Sequence, residues 1–419
     1  MKTAVVILNW NGEKHLKRFL APLLHSLKDY DAEVTIADNN SLDGSVRYVE
    51  NTFDGRVQVL CFPKNYGFAE GYNRALAALN AKYYLLLNSD VLVEGDWFYA
   101  LEEWMELHDD CAACGPKLLS YQERDRFEYA GAAGGLMDNY GYSFCRGRIL
   151  SYTEKDEGQY DLPQDVFWCS GACMMVRADA WKALGGFDER FFAHFEEIDF
   201  CWRAKLEGWR ISYVPRSSVW HIGGGTLPSG SPWKLKLNYR NNLLTLWKNE
   251  ARTRALLIFY EAVTELIRAE TDEFTGWLAC KLWLEIQDRE FLVKLGGQAA
   301  MLGLARRNTL IWRRMVLDGL SALIYLFKGQ KARFKAVRDA HREFKVLRRE
   351  IQQETRESIT DWLMERVEKG DAEKILYMDF DEESGLETGI KARYNGCILP
   401  TALRKKENAH EIINKEIRL

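Results

Sequence analysis

The sequence predicts an α/β domain built on a mostly parallel sheet, followed by an α-helical C-terminal region. Two observations lead to this prediction. Apolar runs of strand length alternate with helical patterns through residue 90, as they do in strand–helix–strand units. Seven of the eight prolines lie at or before Pro232, and the chain beyond it is rich in Leu, Ala, Lys, Arg and Glu, which is typical of helices.

Composition gives the domain organisation. A chain of 419 residues with 47% hydrophobic residues is long enough for two or three domains and is not disordered as a whole. The net charge of −4 argues against a nucleic-acid partner. Residues up to Gly230 carry a net charge of −10 and the remainder carries +6. We therefore predict an α/β domain over 1–230, a helical region over 231–369, and a polar tail of unassigned role over 370–419.

The sequence shows neither the pattern of a membrane-spanning helix nor that of a signal peptide. No apolar run reaches the roughly 18 residues that a membrane-spanning helix needs, and the short apolar run at the N-terminus lacks the features of a signal peptide. The nine cysteines are sparse and irregular, as in a reducing compartment. These features predict a cytoplasmic protein, and Cys111-Ala-Ala-Cys114 is interpreted as buried strand.

The elements of the α/β domain follow in order. Four apolar runs predict buried parallel strands, namely Ala4 to Leu8, Val34 to Ala37, Val57 to Leu60 and Tyr83 to Leu87. Helical patterns separate them, the last running from about Phe68 to Asn80. Ligands of such sheets bind at the carboxyl ends of the strands.

Each of these strand ends is polar. The segments are Asn9-Trp10-Asn11, Asp38-Asn-Asn-Ser-Leu-Asp-Gly44, Lys64-Asn-Tyr-Gly-Phe-Ala-Glu-Gly-Tyr-Asn73 and Asn88-Ser89-Asp90. One such end is an ordinary turn, but four on the same edge predict a polar ligand. The first turn has no G-x-G-x-x-G and the chain has no P-loop, which argues against a dinucleotide-binding domain and a P-loop nucleotidase.

Together these segments resemble the family 2 glycosyltransferases of the GT-A fold, a Rossmann-like nucleotide-diphospho-sugar transferase fold, and most of all their rhamnosyltransferase-like bacterial branch. The resemblance continues through Gly185-Gly-Phe-Asp-Glu-Arg-Phe-Phe192, Phe195-Glu-Glu-Ile-Asp-Phe-Cys-Trp-Arg203 and Trp220-His221, and spans about residues 3 to 250. Each motif is weak alone, and their order and spacing carry the resemblance.

The resemblance implies a donor site and a metal site. Asn88-Ser89-Asp90 is similar to the Asp-x-Asp metal motif, with Asn in the first position. Asp90 and His221 would ligate Mg²⁺ or Mn²⁺, and imidazole suits Mn²⁺ better. Without the resemblance, Asn88 and Asp90 would cap the helix near Trp97 and His221 would be structural. Gly223-Gly-Gly225 is either a hinge or a linker. The implied nucleotide-sugar ligands are Asn9, Trp10, Asp38, Asn65, Gly67, Asn73 and Asn88.

The carboxylates Glu196, Glu197 and Asp199 form the implied catalytic segment at the start of a helix. Transfer to a hydroxyl needs a general base, and Glu197 aligns with that base, with Glu196 beside the acceptor. The family usually has Asp at position 197, so Glu196 or Asp199 are alternative bases. Asp199 and Arg203 are spaced for an ion pair within the helix.

The helical region contains a basic amphipathic pattern. Residues 306–349 hold 13 Lys and Arg against three acidic residues, with apolar residues at helical spacing. Two interpretations stay open: a helix lying in a membrane interface at the inner face of the cell membrane, or a bundle whose basic face is solvated.

The main hypothesis is an inverting, metal-dependent glycosyltransferase that moves a sugar, with rhamnose as the first choice, from a nucleotide-diphospho-sugar to a glycan or polyprenyl-lipid-linked acceptor in surface polysaccharide synthesis. A catalytically weak or inactive scaffold that binds nucleotide-sugar or glycan is the alternative, because Asn88 and Glu197 depart from the family pattern. A nucleotidyltransferase is a third option, although Asn11 to Lys14 lacks the glycine-rich basic loop expected of one. The sequence leaves the oligomeric state open.

Overall fold

The computed structural model describes residues 1–138, 140–149, 152–223, 230–270 and 289–369, together with the backbone of 380–381 and 386–387. The described residues form two compact units. The first contains 1–205 and 209–223, and the second contains 206–208 and 230–369. Gly224, Gly225 and most of the predicted tail over 370–419 lie outside the described residues.

The first unit is a mixed α/β domain. Its strands are β1 (Thr3–Asn9), β2 (Ala32–Asp38), β3 (Gln58–Cys61), β4 (Tyr83–Leu87), β5 (Val91–Val93), β6 (Cys111–Ser120), β7 (Gly135–Met137), β8 (Ser143–Cys145), β9 (Arg148–Ile149), β10 (Tyr152–Thr153), β11 (Gln164–Asp165), β12 (Cys173–Arg177) and β13 (Arg210–His221). Its helices are α1 (Glu13–Ser26), α2 (Ser45–Phe53), α3 (Gly67–Ala77), α4 (Trp97–Leu107), α5 (Ala178–Ala183) and α6 (Glu196–Leu206), with a 3₁₀ turn at Glu189–Phe191.

Nine of these strands form one sheet in the order β11-β13-β6-β12-β4-β1-β2-β3, with β5 added beside β13. The four strands predicted from the apolar runs are confirmed, and β4, β1, β2 and β3 are parallel neighbours. Every residue of β4 is buried, because helices cover both faces of a parallel sheet. The predicted fold class is confirmed. Strand β12 runs antiparallel between β4 and β6, and the sequence did not predict that position or direction.

Strand β13 corrects one expectation. The sequence predicts a strand from Ile211 to Val214 and a turn at Pro215, but the strand continues to His221. Its pairing with β6 shifts register between Val214 and Ser218, since Pro215 has no N–H to donate to the ladder and is accommodated in a bulge. The last residues of β13 then pair with β5, which sets His221 opposite Val91.

The second unit is helical, as predicted for the C-terminal region. Its helices are α7 (Pro232–Glu270), α8 (Arg289–Phe327), α9 (Lys331–Glu350) and α10 (Arg356–Lys369). No helix in the described part of the chain is long and apolar enough to cross a membrane. A further two-stranded ribbon, β14 (Phe380–Asp381) with β15 (Leu386–Glu387), belongs to the first unit.

Helices α7 and α8 approach closely at Gly303. A Cβ atom on Gly303 would overlap the carbonyl oxygen of Ala251, which would force the two backbones apart. Gly319 lies sixteen residues further along α8, and a Cβ atom there would meet no described atom within 4 Å. The first glycine is therefore required by packing and the second is not.

These two glycines give a matched pair of variants. We expect Gly303→Ala to lower the free energy of unfolding by about 1–3 kcal/mol, because the added methyl group overpacks the contact. We expect Gly319→Ala to raise it by up to about 1 kcal/mol, because alanine favours the helix. Denaturant midpoints of the two variants measure both effects, and an equal shift in the same direction would contradict the close contact.

Candidate active site

The carboxyl ends of β1 and β2 are joined by a buried polar network. Asn9 and Asp38 are register partners, and Asn9 Nδ2 donates to Asp38 Oδ1 at 2.8 Å and to the hydroxyls of Ser41 and Ser45. Asp38 Oδ2 in turn accepts from the Ser41 backbone N–H at 2.9 Å. Asn9 Oδ1 is buried and accepts no hydrogen bond from the described residues. The network fixes both strand ends and leaves one acceptor for a ligand or water.

Trp10 follows this network and is 42% exposed. The Trp10 side chain is therefore not part of the core. An exposed indole ring at the carboxyl end of β1 offers a flat surface for stacking. The assignment of Trp10 to the nucleotide stays a prediction.

Asn39 is a positioning residue that sequence reasoning missed. It is 2% exposed, accepts a hydrogen bond from the Tyr66 N–H at 2.8 Å, and donates to the Gly67 carbonyl at 2.9 Å and to Asn65 Oδ1 at 3.1 Å. Asn65 Oδ1 also accepts from the Gly67 N–H at 2.8 Å. The predicted ligands Asn65 and Gly67 are thus held at the start of α3. The signal was present, since Asn39 stands in the same polar segment as Asp38.

Asn73 lies on α3, and both the nitrogen and the oxygen of its side-chain amide are hydrogen-bonded. It donates to the Phe187 carbonyl at 2.8 Å and accepts from the Phe187 N–H at 2.9 Å. These bonds join α3 to the loop that leads to Glu196 and Glu197. The predicted contact of Asn73 with the nucleotide stays a prediction.

The predicted metal ligands Asp90 and His221 come together. His221 Nε2 lies 3.2 Å from Asp90 Oδ1 and 3.4 Å from Asn88 Nδ2. A buried carboxylate that sequence reasoning missed, Glu128, lies 3.6 Å from His221 Nδ1. The expectation that Asn88 and Asp90 cap the helix near Trp97 is wrong, because β5 intervenes and Asp96 occupies the N-cap position.

Charge in this cluster is strongly coupled. Burial alone would raise the pKa of Asp90, but the hydrogen bond and charge of His221 outweigh it and lower that pKa. Burial alone would lower the pKa of His221, but the contacts with Asp90 and Glu128 raise it to about 10. Two carboxylates therefore compensate one buried imidazole, which is positively charged near neutral pH when nothing else binds it.

The cluster fits a divalent cation in its donor chemistry. Asp90 Oδ1 faces His221 Nε2. The Glu128 carboxylate lies next to the other ring nitrogen, Nδ1, and many metal-bound histidines have a carboxylate in that position. No group of three or more His, Cys, Asp and Glu side chains in the described ranges is arranged to hold a metal ion. Asp90 and His221 would therefore supply two ligands, with the remainder left to water and ligand oxygens.

The acidic segment follows a strained loop. Phe192, His194 and Phe195 have φ values of 65°, 69° and 74°, a region that non-glycine residues rarely adopt. The Phe192 carbonyl accepts hydrogen bonds from the first amide groups of α3, Phe68 and Ala69, at 2.5 and 3.1 Å. Gly67 is required there, because it has φ 77° and a Cβ would lie 2.6 Å from that carbonyl. The start of α3 thus holds the loop that delivers Glu196 and Glu197.

The two glutamates are desolvated. Glu196 is 3% exposed and Glu197 is partly buried, and each has a buried Oε2 atom that accepts no hydrogen bond from the described residues. Burial, and after it the neighbouring charge of Glu197, raises the pKa of Glu196 well above its usual range. Burial raises the pKa of Glu197 to about 7. A carboxylate with such a pKa is suited to accept a proton near neutral pH.

Asp199 is used differently. It is fully buried, and Arg203 Nε donates to its Oδ2 at 2.9 Å, so the predicted ion pair within the helix is present. Arg203 also donates to the carbonyls of Leu184 and Gly186. The pair anchors α6 to the preceding loop, and this engagement favours Glu197 over Asp199 as the general base.

Glu197 lies near the carboxyl end of β4. Asn88 N donates to the Ala172 carbonyl at 2.9 Å, and a Cβ on the adjacent Gly171 would lie 4.0 Å from Glu197 Cβ. Gly171 lies in the turn before β12. On the other side, a Cβ on Gly12 would overlap Asn9 Oδ1 and would lie 3.4 Å from Ser89 Oγ. The nucleotide, metal and acid predictions therefore converge on one edge of the sheet.

Parts of the chain are similar to known proteins. The family model described as Glycosyl transferase family 2 matches residues 4–185. An N-acetylglucosaminyl-diphospho-decaprenol L-rhamnosyltransferase of Mycobacterium tuberculosis is 28% identical over 245 residues, which cover 52% of this chain and 75% of the relative. Rhamnosyltransferase WbbL of Escherichia coli is 27% identical over 188 residues, which cover 42% of this chain and 69% of the relative.

Among solved structures, that of S. aureus TarS 1-349 aligns with a TM-score of 0.43 and 17% identity, covering 82% of this chain and 92% of that one. The segment matched by the family model contains β1 to β4 and their polar ends. Residues 4–185 thus match the model of glycosyl transferase family 2, and the chain is similar to rhamnosyltransferases of that kind at 27–28% identity.

Proposed function

We propose that the protein is an inverting glycosyltransferase that moves a sugar from a nucleotide-diphospho-sugar to a hydroxyl group of a glycan or lipid-linked acceptor. The acceptor oxygen attacks the anomeric carbon as the bond from that carbon to the diphosphate oxygen breaks. The hydroxyl proton passes to a carboxylate, and the bonding electron pair leaves with the diphosphate. The match to the family model supports the reaction class. The observation that carries the proposal is the buried Glu197 carboxylate oxygen beside the end of β4, which accepts no hydrogen bond from the described residues.

Glu197 is assigned as the base. Its raised pKa leaves it partly ionised near neutral pH, and the first amides of α3 hold the loop that precedes it. Glu196 is assigned to the acceptor side as its neighbour. Asp199 is assigned to positioning, because Arg203 neutralises it.

Asp90 and His221 are assigned as the ligands of a divalent cation, Mg²⁺ or Mn²⁺, with Glu128 orienting the imidazole. Such a cation, when bound, neutralises charge on a leaving diphosphate. Asn88 is assigned to the ribose or to water on the cation.

Asp38, Asn9 and Trp10 are assigned to the nucleoside of the donor, with Asn65 and Gly67 presenting backbone and amide groups next to it and Asn73 bracing the loop. The names of the relatives make rhamnose the first choice of sugar and a polyprenyl-diphosphate-linked glycan the first choice of acceptor. Such an activity belongs to the synthesis of a surface polysaccharide or cell-wall glycan.

The pKa of Glu197 gives a pH prediction. Because the base must be ionised and its pKa is about 7, kcat/KM should rise about tenfold per pH unit below pH 7 and level off above it. Initial rates of nucleoside diphosphate release with acceptor present measure this profile. A profile that stays flat from acidic to basic pH would remove Glu197 from the role of base.

Glu197→Gln separates chemistry from binding and from folding. We expect transfer to fall by at least about a hundredfold, with donor affinity nearly unchanged. The raised pKa means that the folded protein holds this proton more tightly than the unfolded chain, so the wild type loses stability as pH rises from the usual glutamate value toward 7. The Tm of Glu197→Gln should therefore exceed that of the wild type at pH 8 and match it at pH 5.

The exposed Glu33→Gln is the control for this change of charge, and its Tm difference from the wild type should be the same at both pH values. A Glu197→Gln protein that transfers sugar at the wild-type rate would contradict the assignment of the base.

Asp90 gives the test of the cation site. Asp90→Asn should abolish the rise in Tm that nucleotide-sugar with Mn²⁺ gives the wild type and should lower transfer on the order of a hundredfold or more. Glu128→Gln should cost about 10–100-fold, because it acts through His221. Asp96→Asn, a nearby exposed control, should behave as the wild type. Donor-induced stabilisation without any diphosphate release in the wild type would instead support the non-catalytic scaffold.

A further inference from the structure

The helical unit buries charge along the contacts of its two long helices. On α7, Glu250 is fully buried and pairs with Arg254 at 2.8 Å. On α8, Arg307 is 2% exposed and Asp318 is 3% exposed, and Asp318 contacts both Arg314 and His341 at 3.2 Å. Buried charges of this kind are costly unless paired, and those of α8 lie on its buried side among apolar residues such as Leu310 and Ile311.

The outward side of α8 is apolar. Trp312 is 67% exposed and Phe327 is 86% exposed. Between them, large apolar side chains recur every three or four residues and so share one face of the helix, and the exposed members of this face are Trp312, Val316, Leu320, Leu323, Ile324 and Phe327. We call this set the α8 apolar face. A contiguous apolar surface of this length is uncommon on a water-exposed protein and marks an interaction site.

The exposed charges that α8 itself carries from Phe291 to Phe327 are all positive. From Phe291 to Phe327 the only acidic residue is Asp318, which is buried. Arg306 and Arg313 are exposed and precede Leu320 by fourteen and seven residues, which places them about four and two helical turns away on the same side of the helix. Lys328 and Lys331 are exposed just beyond the end of the face. The face is therefore flanked by cations at both ends.

A cavity opens at the start of this face. It has a volume of about 480 Å³ and is lined in part by Trp312, Met315, Trp247, Arg348 and Arg349. The Arg348 guanidinium lies 5.4 Å from the centre of the Trp247 ring. Two further cationic side chains therefore stand beside an apolar cleft that shares Trp312 with the α8 apolar face, an arrangement that suits a phosphate group joined to hydrocarbon.

We propose that the α8 apolar face docks this unit on the surface of an anionic phospholipid bilayer, with the helix lying in the plane of the interface. The apolar side chains enter the boundary between headgroups and acyl chains, and the flanking Arg and Lys side chains meet lipid phosphates. A second copy of the chain is the weaker occupant, because α8 offers no exposed acidic side chain between Phe291 and Phe327 to meet the cations of its partner.

Flotation of the full chain with vesicles tests the proposal without any sugar substrate, so its outcome is independent of the proposed transferase activity. We expect the wild type to float with phosphatidylcholine vesicles containing about one third phosphatidylglycerol, and to float less at about 0.5 M salt or with phosphatidylcholine alone. Leu320→Glu/Leu323→Glu should lower the partition coefficient at least about tenfold. Arg306→Gln/Arg313→Gln should lower it about 30-fold at low salt.

Matched controls carry the same changes of charge in the α/β unit. Leu107→Glu/Leu162→Glu replaces two exposed leucines, and Lys28→Gln/Lys182→Gln removes two exposed cations. Both controls should float as the wild type does. Since all altered side chains are exposed, circular dichroism and Tm should match the wild type, and Phe327→Glu at the end of α8 serves as a second variant with little bearing on folding.

The proposal is overturned if the wild type stays unbound at low salt, or if folded Leu320→Glu/Leu323→Glu and Phe327→Glu float as well as the wild type. It is also overturned if light scattering finds a wild-type dimer that these variants convert to monomer while no species binds vesicles, since the face would then join two copies of the chain.

Discussion

The hydrogen bonding of α3 to the Phe192 carbonyl is the interaction on which the geometry of the candidate site depends. Two helix N-terminal amides, Phe68 and Ala69, find their acceptor in a loop more than a hundred residues away along the sequence. Free amides at a helix start need such acceptors. The same contact holds a loop with several left-handed residues, whose strain of order 1–3 kcal/mol per residue persists only when the surroundings enforce it. The loop in turn sets where Glu196 and Glu197 begin their helix.

That enforcement explains how two adjacent carboxylates remain desolvated. In a flexible segment, Glu196 and Glu197 would rotate toward water and separate their charges. Here Asp199 and Arg203 pin the first turns of α6, and Asn73 pins the loop at Phe187. Burying the two glutamates destabilises the fold, and the Asp199–Arg203 ion pair and the Asn73–Phe187 hydrogen bonds offset that cost. Such compensation is common where a side chain needs a shifted pKa for chemistry.

The sequence was informative where structure is local. Continuous apolar runs predicted β1 to β4, and the spacing of Asp199 and Arg203 predicted their ion pair. The antiparallel position of β12 between β4 and β6 could not be predicted, because an apolar run does not specify which strands will be its neighbours in a sheet. Glu128 was missed for a similar reason: it meets His221 only through the fold. The amphipathic pattern of α8 predicted an apolar side but not that this side would face outward, since periodicity gives the width of a face and not its direction.

The bulge in β13 has a consequence for how such a site can vary among related chains. Side chains alternate across a strand, so adding or removing one residue in the unpaired stretch between Val214 and Ser218 would either be absorbed there or reverse the side on which His221 emerges. A loosely registered stretch upstream of the strand end that carries His221 works as an adjustable spacer. Residues inserted at Pro215 can be absorbed there while the end of β13 keeps its pairing with β5, so the length of the strand can vary with His221 still held opposite Val91, next to Asp90.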